Sequence, residues 1–298
     1  MEGALEFAKL HGLGNDFVMI NDLACEVELS ASQVAHLCDR HFGIGADGVI
    51  LVRPSTRPEC AAYMHYINAD GTLAQMCGNG VRCFAKYLVD RGLAEASAHR
   101  LVADTLAGPK PITFEADDAG KLVYATVDMG KPVLNPACVP VSAAPDATSP
   151  DGEPYTGALQ LSSPWGTFTF TCVSMGNPHA VCFLENEDVS QFDVERIGAY
   201  FETHEAFPEK TNVEFAAVGP DGIAMRVFER GCGETMACGT GACATAVAAC
   251  LTGRAGRKSD VLLRGGTLRI VWDDDGHVLM TGPAQESFSG SIPLDALP

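Results

Sequence analysis

The strongest constraint on this chain is that parts of it are written twice. MCGNG at 76–80 and ACGTG at 237–241 place Cys77 and Cys238 at equivalent points of a glycine-rich turn, 161 residues apart. HGLGNDFV at 11–18 has a counterpart in SMGNPHAV at 174–181, which sets Asn15 and Asn177 at an offset of 162. The offset of 161 also carries Asn68 of INADG onto Glu229 of FERGCGE, and the run after each cysteine turn stops at a glycine, Gly92 or Gly253. Four features near one offset predict two copies of one domain rather than a chance match.

Each copy reads as α+β. Alternating stretches such as YMHYI (63–67), TFTFTCV (167–173) and AMRVF (224–228) predict strands. Val81–Asp90 predicts a helix that Gly92 terminates. Ala242–Leu251 is almost entirely small and lacks a polar face, a pattern that suits a helix enclosed by sheet on all sides. Residues 140–157, rich in Pro, Ser, Asp and Gly, read as a surface excursion or linker, and the two stretches beginning at Val261 and His277 read as further hairpins. The domains are placed at 1–135 and 136–275, with 276–298 a C-terminal segment open to returning to the N-terminal domain.

Composition narrows the partners. At 298 residues and 47% hydrophobic, the chain has ample material for two packed cores. Its net charge of −18 excludes nucleic acid or an anionic membrane as the main partner, since both require a basic surface. The start, MEGALEFAKL, carries no signal-peptide pattern, and the longest small apolar run, at 242–251, is too short to span a bilayer, so a cytoplasmic protein is expected. None of the twelve cysteines forms a C-x-x-C pair, so a structural metal is not expected and most thiols read as small buried side chains. Cys232 and Cys243, close to the second turn, have no assigned role.

A cysteine at a glycine-rich helix start has a chemistry of its own. The first helical turn leaves backbone N–H groups without intrahelical partners, and the dipole places partial positive charge there. A thiolate is stabilised at such a point, so its pKa is expected to fall. The N–H groups of Gly78 and Asn79, and of Gly239 and Thr240, are positioned to hold a carboxylate. If two homologous domains face each other, a carboxylate between them presents its α-carbon to both sulfurs. One thiolate then removes the α-proton while the other thiol delivers a proton to the opposite face, which inverts the stereocentre without a cofactor. Glu229 and Arg230 read either as a solvated pair or as binders of an ammonium and a distal carboxylate. His179 reads as a structural histidine or, beside Asn177, as a group that sets a cysteine's protonation state. Asn15, Asn68 and Asn212 fit turns or ligand contacts equally well.

These residues resemble a known family, the diaminopimelate epimerases, cofactor-independent enzymes that interconvert LL- and meso-2,6-diaminopimelate in lysine and peptidoglycan precursor synthesis. The matching stretches are KLHGLGNDFV, FGIGADG, NADGTLAQMCGNGVRCFAKY, TLAGP, SMGNPHAV, TNVEF, FERGCGETMACGTGACA and MTGPA, from residue 9 to 284. The resemblance implies that Cys77 and Cys238 are the acid/base pair and that no cofactor or metal is needed. It implies substrate contacts at Asn15, Asn68, Gly78, Asn79, Asn177, Asn212, Glu229, Arg230, Gly239 and Thr240, with His179 and Glu229 tuning the cysteines. It further implies two pseudo-symmetric domains, each a mixed sheet wrapped around a central helix, and a homodimer. Some members carry a substrate-contacting glutamine where this chain has Gly48, so that contact is not carried over. The main alternative within enzymes is a proline or hydroxyproline racemase, which shares the paired cysteines; Arg230 with Asn68 and Asn212 favours a substrate with a second carboxylate. A thiol redox sensor or zinc module is the alternative outside enzymes, and the missing metal-ligand spacing counts against it.

Overall fold

The computed structural model describes residues 3–74, 76–185 and 187–298, in two compact units: the N-terminal 128 residues with 281–298, and 129–280. In the first unit, β1 (Ala4–Gly12) and β2 (Asn15–Asn21) form a hairpin. Helix α1 (Ala31–Cys38) leads to β3 (Gly48–Arg53), parallel to β2, and β4 (Ala62–Asn68) pairs antiparallel with β3. Helix α2 (Gly78–Asp90) crosses over to β5 (Arg100–Asp104), parallel to β4, and β6 (Lys110–Ala116) and β7 (Leu122–Asp128) complete an antiparallel meander.

The second unit repeats this order. A two-stranded ribbon, β8 (Ala147–Thr148) with β9 (Pro154–Tyr155), precedes β10 (Leu159–Ser163). Strands β10, β11 (Gly166–Ser174) and β12 (Pro178–Phe183) are antiparallel. Helix α3 (Val194–Glu202) leads to β13 (Asn212–Gly219), parallel to β12, and β14 (Gly222–Glu229) is antiparallel to β13. After the short β15 (Gly233–Glu234), helix α4 (Gly239–Leu251) crosses to β16 (Lys258–Leu263), parallel to β14 and hairpinned to β17 (Gly266–Trp272). Strand β18 (Val278–Pro283) spans the unit boundary, and β19 (Gln285–Pro293) pairs antiparallel with β1.

Period-2 alternation gives each sheet two apolar faces. In β3, Val49 and Leu51 join Val34 and Leu37 of α1 in one cluster, while Ile50 points the other way, to Gly80 of α2. In the second unit, Val194, Ile197 and Phe201 of α3 pack with Phe170, Val213 and Phe215. The opposite face holds the second helix: α2 packs on β1, β2, β3, β5 and β7, and α4 on β11, β12, β13, β14, β16 and β17. The two helices fill that space differently: α2 buries Phe84, Tyr87 and Leu88 behind a glycine turn, and α4 buries mainly alanine. A Cβ on Gly80 would lie 2.9 Å from Met64 and 3.4 Å from Phe17 and Ile50. Ala242, Ala244, Ala248 and Ala249 of α4 are wholly buried.

Three expectations are corrected. Residues 140–157 are not a linker: they lie inside the second unit, where Tyr155 and Thr156 are buried and Tyr155 donates to the Leu251 carbonyl at 3.1 Å. The stretch from His277 is not a hairpin, because β19 leaves β18 after one residue and pairs with β1 instead. Half of the cysteines rather than most are buried, namely Cys38, Cys83, Cys172, Cys182, Cys238 and Cys243.

Enclosure of α4 has a measurable consequence. Ala244→Leu adds volume where sheet surrounds the helix and should destabilise the protein by about 1–3 kcal/mol. A fall in the thermal unfolding midpoint checks this; an unchanged midpoint would mean that the site has room to spare.

Candidate active site

In each unit the cysteine of the repeated turn is the N-cap of the enclosed helix. Cys77 precedes α2 with extended backbone (φ −137°, ψ 121°), and Cys238 precedes α4 likewise (φ −119°, ψ 113°). The intrahelical ladders begin with the Val81 N–H donating to the Cys77 carbonyl at 2.8 Å and the Ala242 N–H to the Cys238 carbonyl at 3.0 Å. The backbone N–H groups of the preceding turn, which include Gly78, Asn79, Gly239 and Thr240, therefore project from the helix at the positive end of its dipole.

Around Cys77 the groups are mostly amides. The thiol donates to Asn15 Oδ1 at 3.4 Å, and Asn79 Nδ2 donates to the same oxygen at 3.1 Å. Asn79 Oδ1 accepts from the wholly buried Arg82 at 2.8 Å. Asn15 Nδ2 donates to Asp47 Oδ2 at 2.6 Å, and Arg40 bridges Asp47 and Asp16 at 2.8 Å each. Asp16 also pairs with Lys9 at 2.8 Å; burial opposes its ionisation, but Arg40 and Lys9 hold its pKa down at about 2. Asn68 is not part of this cluster of contacts: it closes β4 opposite Gly48 and donates to Thr72 Oγ1 at 3.0 Å. A Cβ at Gly48 would lie 2.6 Å from the Ile67 carbonyl, so this backbone leaves no room for a side chain there.

Around Cys238 the groups are acidic. Its sulfur accepts from the Gly241 N–H at 3.4 Å and lies 3.5 Å from Thr240 Oγ1. His179 Nδ1 is 2.6 Å from Glu214 Oε1, and its Nε2 is 3.1 Å from Asn177 Oδ1. His179 and Glu214 have no exposed side-chain surface. Glu214 Oε2 is buried with no hydrogen-bond partner among the described residues, and burial pushes the Glu214 pKa up against the opposing pull of His179. Glu214 Oε1 would also be 2.8 Å from a Cβ at Gly241, so glycine there lets the helix start meet the carboxylate. Asn212 joins Arg230 to the start of β12: its Oδ1 accepts from the Arg230 backbone N–H at 3.0 Å, and its Nδ2 donates to the Pro178 carbonyl at 2.8 Å. The exposed Arg230 guanidinium donates to the Glu209 carbonyl at 3.0 Å, and Glu229 accepts from Thr235 at 2.5 Å.

One expectation fails here. The helix start does not lower the Cys238 pKa. Burial pushes it well up, the Glu229 and Glu214 carboxylates push in the same direction, and the opposing pull of Thr240 and the Gly241 N–H is smaller. A buried thiol facing two carboxylates is held in its protonated form. Cys83, Cys172 and Cys182 are pushed to about 12 mainly by burial, which suits packing rather than chemistry. Among the described residues, no group of three or more His, Cys, Asp or Glu side chains is arranged to hold a metal.

Sequence reading missed Asp47, Arg82 and Glu214. Each lay inside a stretch already singled out: GIGADG, CGNGVR and TNVEF. The missing signal was spatial, because a single sequence does not show which acid lies beside which amide. The electrostatics give a direct test. Glu229→Gln removes one of the charges that hold Cys238 protonated, so its iodoacetamide alkylation midpoint should move to lower pH. Peptide-resolved alkylation against pH measures it; an unmoved or raised midpoint would contradict the assigned cause.

The chain is similar to known proteins over nearly its whole length. Residues 7–135 and 171–286 match the family model described as diaminopimelate epimerase. A diaminopimelate epimerase of Desulfitobacterium hafniense is 46% identical over 298 aligned residues, covering 98% of this chain and 100% of that protein. One from Methanococcus maripaludis is 42% identical over 97% of this chain and 100% of its own length. Among solved structures, a hydroxyproline epimerase from Agrobacterium vitis superposes with a TM-score of 0.70 at 16% identity, covering 99% of this chain and 92% of that one. A probable proline racemase from Agrobacterium radiobacter gives 0.68 at 15% identity, covering 98% and 93%. At that identity the structural likeness establishes the two-domain α+β fold alone. Identity above 40% across essentially the full length of both chains establishes more, and the chain belongs to the diaminopimelate epimerase family of isomerases.

Proposed function

We propose that this protein interconverts LL- and meso-2,6-diaminopimelate without a cofactor, with Cys77 and Cys238 as its acid/base pair. The observation that carries the reading is that a chain of this family places a cysteine at the N-cap of an enclosed helix in each of its two units. The N–H groups of Gly78, Asn79, Gly239 and Thr240 hold the carboxylate at the reacting centre. One cysteine, as thiolate, takes the α-proton. The C–H electron pair moves into the carboxylate to give an enediolate, which the helix dipoles and N–H donors stabilise. The other cysteine, as thiol, gives its proton to the opposite face of the carbon, and the two sulfurs have exchanged protonation states.

The surroundings of the sulfurs fit that division of labour. Cys238, kept protonated by burial and two carboxylates, enters as the donor; by family analogy Cys77 is the base toward the LL isomer and Cys238 the base toward the meso isomer. Glu229 binds the α-ammonium and Arg230 the distal carboxylate, with Asn15, Asn68, Asn177 and Asn212 supplying amide contacts. His179, locked between Glu214 and Asn177, orders the polar groups behind Cys238. The names of the full-length relatives support the substrate. By the same kinship the enzyme serves lysine and peptidoglycan precursor synthesis in the cytoplasm, as a homodimer.

Purified protein incubated with LL-diaminopimelate and no added cofactor should form the meso isomer. Cys77→Ala and Cys238→Ala should each lower the epimerisation rate by roughly 100-fold or more, the scale of a lost general acid or base. Chiral chromatography of the products measures both. Turnover of proline or hydroxyproline instead, or near-normal rates in either variant, would overturn the proposal.

A further inference from the structure

The amides beside Cys77 could in principle point either end at the thiol, and two charged groups decide which. A carboxylate only accepts hydrogen bonds and a guanidinium only donates them. Asp47 Oδ2, 2.6 Å from Asn15, therefore draws the NH2 end of that amide toward itself. Arg82, 2.8 Å from Asn79, draws the oxygen end of the second amide and turns its NH2 to Asn15 Oδ1. Both constraints agree: Asn15 Oδ1 faces the sulfur, and the sulfur meets an acceptor. An acceptor oxygen suits S–H and opposes S⁻, whereas the other end of the amide would do the reverse.

Asp47 is itself held in place. Its Oδ2 also accepts from the Asp16 N–H at 3.0 Å, and its Oδ1 takes Arg40 at 2.8 Å. Lys9 anchors Asp16 from β1. Gly12 at the β1–β2 turn allows Arg82 to come close, since a Cβ there would lie 3.0 Å from Nη2. The charged and titratable groups around this corner include Lys9 and His11 from β1, Asp16 from β2, Cys38 from α1, Arg40 and Asp47 from the α1–β3 connection, and Arg82 and Cys83 from α2.

We propose that Asp47 is a positioning residue for Cys77: through Asn15 it fixes which end of an amide the thiol meets, and so opposes thiolate formation until substrate rearranges that contact. The proposal rests on Cys77 being one of the reacting thiols. Its test reads the free thiol without substrate, so it can fail while the proposed reaction stands.

The experiment is peptide-resolved alkylation of Cys77 by iodoacetamide across pH, in the full chain, as a double-mutant cycle. Asp47→Ala frees the Asn15 amide to turn its NH2 toward the sulfur. The Cys77 midpoint should move to lower pH, raising the rate at pH 7 by roughly three- to tenfold. Asp47→Leu is a second variant of similar size. It offers Asn15 neither an acceptor nor a donor, so the midpoint should shift in the same direction. In an Asn15→Ala background, Asp47→Ala should shift the midpoint no further, because the relay is already cut. An equal shift in that background would show that the Asp47 charge acts directly through space and would overturn the proposal. No shift from Asp47→Leu in the native background, with the near-UV circular dichroism unchanged, would overturn it as well.

Discussion

Everything in this fold follows from burying the start of a helix inside a sheet. A helix N-terminus is polar, and burying it requires partners for its N–H groups or a ligand that replaces them. The chain solves that problem twice with the same device, a cysteine N-cap followed by glycines. The glycines are needed because the sheet closes in: Gly80 meets Met64, and Gly241 meets Glu214. The strands must then contact the helix from several sides, which α4 meets with a run of small residues and α2 with buried Phe84 and Leu88 behind its glycine turn. Fold and proposed function therefore share one constraint, since the N–H groups that make the helix start difficult to bury are the ones proposed to bind a carboxylate.

The two units use the device with opposite electrostatics. Cys77 is surrounded by amides whose polarity is set from behind by Asp47 and Arg82, both held in networks of hydrogen bonds and ion pairs. Cys238 is surrounded by carboxylates, with Glu214 wholly buried and Glu229 close enough to raise the thiol's pKa. Repetition of topology has not preserved charge. The registers correspond, with Gly48 facing Asn68 in one unit and Val213 facing Phe228, next to Glu229, in the other. An amide has thus been exchanged for an acid at related positions. Such asymmetry suits the proposed reaction, which needs two unlike groups: Cys238 rests as an acid, and Cys77 becomes the base once substrate displaces its acceptor contact.

How much of this the sequence shows depends on the range of the interaction. The repeat, the two helices and the strands beside them were legible because period and punctuation are local: Gly92 and Gly253 end the helices with left-handed backbone at φ +68° and +69°. The alanine run of α4 announced its enclosure. Helices α1 and α3 went unread, although Ser30 and Gln33 form a capping box and Asp193 caps α3. Long-range facts were out of reach. Nothing near Gln285 says that β19 will pair with β1, and nothing in TNVEF says that Glu214 will meet His179. The expected drop in the cysteine pKa failed at Cys238 for the same reason. The helix dipole is written in the local sequence, but the burial and the two carboxylates that outweigh it come from distant strands.

In the proposed reaction two thiols act on one carbon from opposite faces, and solvent isotope incorporation reads that out. Epimerisation in D₂O, stopped early, should give product that carries deuterium at the inverted carbon while recovered substrate remains largely unlabelled. The reason is that the delivered proton comes from a thiol already equilibrated with solvent. Early product that retains the original hydrogen would point to a single base serving both faces and would contradict the account.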